Sequence, residues 1–119
     1  MITETKTRHI DPDITVLEIA GRLNLGNTLL SIENTIKRLI DEGSRRLIVD
    51  LAGLNAIDSS GIGMLVTCHA HMEQAGGQMR VAGAQGTVLK VFETVHLNRI
   101  VAMHADVDSA CSSLRAAGA

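Results

Sequence analysis

The sequence predicts an α/β domain in which a mixed β-sheet is flanked by α-helices. Stretches rich in β-branched and apolar residues alternate with segments whose apolar residues recur at helical spacing. The run Leu47-Ile48-Val49-Asp50-Leu51 is apolar enough to be a central strand covered on both faces. Glycines fall at the junctions, where a helix must end and a strand begin.

Taken in order, the opening third reads as two strands about the turn Asp11-Pro12-Asp13, the second carrying Ile14, Val16, Leu17 and Ile19 and ending at Gly21. Asn27 or Thr28 then caps a helix whose inner face is Leu29, Ile32, Ile36, Leu39 and Ile40. Gly43 closes that helix and Arg46 to Leu51 forms the central strand. A second helix begins near Ser60, sets Met64, Leu65, Cys68, Met72 and Ala75 on one side, and stops at Gly76-Gly77. Gln78 to Gly83 returns as a strand. A third helix from Thr87 buries Val88, Val91, Phe92 and Val95, and a short strand follows at Ile100-Val101-Ala102-Met103. The last helix starts beside its cap, Asp106, with Val107, Ala110, Cys111 and Leu114 inward. Five strands and four helices in this order call for a single sheet with helices packed on it.

Composition narrows the function. With 119 residues, 45% of them hydrophobic, the chain suffices for one core of ordinary size, so residues 1–119 are expected to form one domain. Phe92 is the only aromatic residue, which leaves no platform for stacking bases. Eleven Lys and Arg against thirteen Asp and Glu give a net charge of -2, unsuited to phosphate backbones or anionic membranes, so neither nucleic acid nor direct membrane binding is expected. Two cysteines, Cys68 and Cys111, make neither a disulfide framework nor a zinc site, and both fall on apolar helix stripes. No metal or cofactor is implied. The N-terminus lacks an apolar signal segment, no stretch approaches the ~20 apolar residues of a membrane span, and a cytoplasmic protein is expected.

The most unusual segment is Ile57-Asp58-Ser59-Ser60-Gly61-Ile62-Gly63, between the central strand and an amphipathic helix. A serine there sits at the first helical turn, where free N–H groups and the helix dipole favour a negative group such as phosphate. Gly61 and Gly63 let another surface approach the backbone closely. The plainer reading is that Asp58, Ser59 and Ser60 only cap the helix. Gly61-Ile62-Gly63 lacks the third glycine of a dinucleotide site, no Walker A sequence is present, and Ile57 stands where a nucleophile elbow needs glycine. An enzymatic role is therefore not expected. The five histidines show no metal-ligand spacing, His69 and His71 pointing to different sides of a helix.

The arrangement resembles the anti-sigma factor antagonists of the STAS domain family. The residues that carry the resemblance are Gly21-Arg22-Leu23, Ile48-Val49-Asp50-Leu51 leading to Asp58-Ser59-Ser60-Gly61-Ile62-Gly63, Gly76-Gly77, and Val91-Phe92 ahead of Leu97 and Ile100. The resemblance implies that Ser59 is the phosphoacceptor, with Asp58, Ser60, Gly61 and the loop residue Asn24 supporting it. Asn24 stands where the family usually has an acid, which removes one negative charge. The implied partners are an anti-sigma factor with serine kinase activity and a serine phosphatase. Ile62, Gly63 and Val66, with His69 on the same stripe, are expected to border the docking surface, the alternative being that they complete the core. The rival reading is a STAS accessory or sensor subunit of a transporter or stress-signalling complex, with a small ligand.

Overall fold

The computed structural model describes residues 3–11, 13–24 and 26–117. The strands are β1 (Glu4–Asp11), β2 (Ile14–Leu23), β3 (Arg46–Asp50), β4 (Leu54–Ile57), β5 (Gln78–Ala82) and β6 (Met103–His104). The helices are α1 (Asn27–Asp41), α2 (Ser59–Gln74), α3 (Gly86–Thr94) and α4 (Val107–Ala117). β1 and β2 form the expected antiparallel hairpin, whose turn includes Pro12, outside the described residues. The sheet runs β1-β2-β3-β5-β6, with β3 central and every pair after the hairpin parallel. The mixed sheet is thus as predicted.

Each β-α-β crossover leaves an apolar helix face against the sheet. Ile32, Ile36 and Leu39 of α1, Met64, Leu65, Cys68 and Met72 of α2, and Val88 and Phe92 of α3 enclose Leu17, Ile19, Leu47, Val49 and Val81 on one side. On the other, Ala110, Cys111 and Leu114 of α4 cover Ile14, Val16, Ile48 and Ala82. Alternation along β2 and β3 sends successive residues to opposite cores. That is why Leu47, Ile48 and Val49 are all fully buried.

Four boundaries differ from the sequence reading. β2 does not end at Gly21. That residue adopts φ 101°, donates its N–H to the Gly53 carbonyl at 3.0 Å, and sits at a register irregularity beyond which β2 pairs with β4. The glycine lies inside the strand, and the extra residue at the irregularity, Asn55, belongs to β4. β4 itself was not anticipated, because Leu54-Asn55-Ala56-Ile57 is too short and mixed to stand out. At α1, Asn27 and Thr28 lie within the helix, and Gly26 holds the cap position. The strand expected at Ile100–Met103 is mostly absent. His96 turns the chain at φ 57°, a short 3-10 helix (Leu97–Arg99) follows, and β6 begins only at Met103. Val95 and Ile100 accordingly remain about half exposed, at 48% and 50%, instead of entering the core.

Candidate functional site

Parallel strands deliver their C-terminal ends to one edge of the sheet, and the switch from β4 to α2 occurs at that edge. Ile57 pairs with Leu23, and the next residue, Asp58, donates its N–H to the Leu23 carbonyl at 3.2 Å. Asp58 has extended geometry and its carboxylate accepts the Gly61 N–H at 3.0 Å, which makes it the N-cap of α2. The Asp58 carbonyl accepts the first helical bond, from the Ile62 N–H at 3.1 Å. Ser59 is the first residue of the helix and is exposed, Ser60 is half-buried, and Gly61 is buried. The capping role therefore belongs to Asp58. Ser59 is left facing solvent beside the positive end of the helix.

Gly61 is required by packing. A Cβ at this position would run into the Leu23 carbonyl oxygen and lie 2.8 Å from Ile57 Cγ1. The missing side chain lets α2 start directly against the end of β2. Asn24, which follows Leu23, is exposed beside this junction. The pairing of β2 with β4 brings it to the same edge. Gly63 is the opposite case: it is exposed, and a Cβ there would meet nothing within 4 Å.

Ile62 and Val66 are half-buried and pack against the main core, so they close the flank of α2. His69 is more enclosed still, its side chain 14% exposed and Nε2 3.2 Å from Glu73 Oε1. A groove of about 300 Å³ lies between the starts of α1 and α2, with Ser60, Met64, Leu29, Leu30 and Glu33 among its walls. Leu30 is 58% exposed, and Glu33 is held 3.7 Å from Lys37. The sequence reading missed this groove because it forms only when two helices meet. No His, Cys, Asp or Glu cluster among the described residues is arranged to hold a metal, and no described helix is long and apolar enough to cross a membrane.

Known proteins share this architecture. A model of the STAS domain matches residues 5–110. A Thermotoga maritima protein named as a candidate anti-sigma factor antagonist is 22% identical over 103 residues, 87% of this chain and 91% of that protein. The crystal structure of an anti-sigma factor antagonist from Mycobacterium paratuberculosis superposes with a TM-score of 0.84 at 17% identity, over 96% of this chain and 95% of that one. The anti-sigma factor antagonist SpoIIAA, unphosphorylated, gives 0.71 at 20% identity over 94% and 98%. Its phosphorylated form from Bacillus gives 0.71 at 22% identity over 92% and 98%. At these identities the structures establish a common fold.

Proposed function

The chain belongs to the STAS domain family, and on that premise we propose that it is an anti-sigma factor antagonist, a cytoplasmic binding module switched by phosphorylation of Ser59. Unmodified protein sequesters an anti-sigma factor that is also a serine kinase. Phosphorylation ends the binding, and a serine phosphatase restores it. The observation that carries this reading is the exposure of Ser59 at the first turn of α2, with Asp58 rather than the serine supplying the cap. A kinase reaches the hydroxyl without dismantling the helix start.

The added phosphate carries about -1.5 to -2 charges and three acceptor oxygens. Helix N-terminal amides and dipole offset the cost of placing it on this protein. A docked partner has no such compensation. An acidic partner group about 6 Å away is repelled by roughly 1 kcal/mol in water-like surroundings and by several in a partly buried interface. Since 1.4 kcal/mol is about tenfold in affinity, a local penalty turns micromolar binding into negligible binding while the fold persists. Gly63, open on the outer side of α2, allows close approach by the partner. Ile62 and Val66 contribute the edges that remain uncovered.

The experiment is direct: incubate the protein with its cognate anti-sigma kinase and ATP, then map the product by mass spectrometry. Modification at Ser59 is expected, and its absence there would remove the switch.

A further inference from the structure

Thr15 is the one buried polar side chain among the described residues, 3% exposed. It occupies the row of β2 that continues with Leu17, Ile19 and Leu23, where valine would fill a similar volume without a hydroxyl to satisfy. Its Oγ1 lies 3.2 Å from His9 Nδ1 and 3.2 Å from Ser44 Oγ. Residues from β1, β2 and the turn after α1 thus converge on one hydroxyl. These three line an open cavity of about 510 Å³, walled further by Asp13, Glu42, Arg45 and Arg46.

The charges there are not all equally committed. Arg46 donates to Asp13 Oδ2 at 2.8 Å, and Glu42 lies 3.7 Å from Arg38. Arg45 Nη1 donates to the carbonyls of Ile40 and Ser44 at 2.8 and 2.9 Å, and Arg45 forms no ion pair among the described residues. Its other guanidinium N–H groups keep the planar fork that suits an oxyanion.

We propose that this cavity binds a small oxyanion, a phosphate or carboxylate group, anchored by Arg45 and hydrogen-bonded by the Ser44 hydroxyl, which Thr15, itself held by His9, orients by donating to Ser44 Oγ. The site is separate from the serine switch: Thr15 is near the start of β2 and Leu23 is at its end, about 26 Å along an extended strand. Binding here does not require that Ser59 be phosphorylated.

Amide spectra of the full chain, titrated with sodium phosphate, sodium succinate and sodium chloride at constant ionic strength, test the assignment. Phosphate or succinate should give saturable shifts centred on His9, Thr15, Ser44 and Arg45, and chloride should not. The two active arms tell phosphate from carboxylate. Thr15→Val and Arg45→Lys should each weaken binding at least tenfold, whereas Ser59→Ala should leave it unchanged. Melting curves establish that each variant is folded, and if Arg45→Lys is not, wild type and Thr15→Val decide. Shifts that fail to saturate, that chloride reproduces, or that survive the Thr15→Val change in a folded protein would overturn the proposal.

Discussion

Gly61 and Gly63 are two residues apart in one helix and obey opposite constraints. Gly61→Ala places a methyl group against the Leu23 carbonyl and Ile57, and an overpacked site of this kind costs about 1–3 kcal/mol. Gly63→Ala meets no neighbour and should stabilise the helix by about 0.5–1 kcal/mol. Melting of the two variants should therefore move in opposite directions. The second should nonetheless bind the proposed anti-sigma partner less well if that partner docks on the open side of α2, where the methyl group would stand. Removing the cap by Asp58→Ala should cost about 1 kcal/mol, whereas Ser59→Ala, which removes an exposed hydroxyl, should melt close to wild type. Denaturant unfolding distinguishes these two changes at adjacent positions.

At the scale of elements, α2 has three kinds of surface. Met64, Leu65, Cys68 and Met72 are sealed in the core, Ser59 and Gly63 are exposed, and Ile62 and Val66 lie between. Val66→Lys should lower stability by about 1–3 kcal/mol, since part of the side chain packs against the core, and the loss is measurable by denaturant unfolding before any partner is added. Periodicity made α2, α3 and α4 legible in the sequence because each buries a regular stripe, and it placed β3 at the centre because that run is apolar throughout. What it did not show was set by tertiary pairing. Gly21 looks like a strand end until β4 takes over from β3 as the partner of β2, and β4 itself has too little pattern to be read alone. Likewise Ile100 fits an apolar strand locally, but the left-handed turn at His96 uses up the chain before β6 starts. The Asp58–Gly61 segment was legible for another reason: cap and helix start are local in sequence. The groove beside Ser60 was not, since α1 and α2 build it jointly.

At the scale of the whole molecule, two cores sandwich one sheet, and two titratable groups, Cys68 inside the main core and the half-buried His104 on β6, tie stability to pH. Burial, reinforced by Glu33, pushes the Cys68 thiol from 9.0 up to about 12. The folded state therefore holds its proton where the unfolded chain has lost it. The stability from this group is complete below pH 9 and is lost as pH rises from about 9 towards 12. Thermal melting across that range should show a decline that Cys68→Ala reduces. His104 behaves in the opposite sense, its pKa lowered from 6.5 chiefly by burial and then by Arg80. Its contribution is present above about pH 6.5 and fades as pH falls below that, where the unfolded chain's imidazole takes up a proton that the folded one does not. Neither group lies in the Asp58–Gly61 turn.

The proposed switch at Ser59 is tested most directly by a calorimetric titration of the proposed anti-sigma kinase with two preparations, unmodified and stoichiometrically phosphorylated at Ser59, both shown to be folded. Saturable binding by the first and at least a hundredfold weaker binding by the second is the predicted result. Equal affinity of the two preparations would contradict the account.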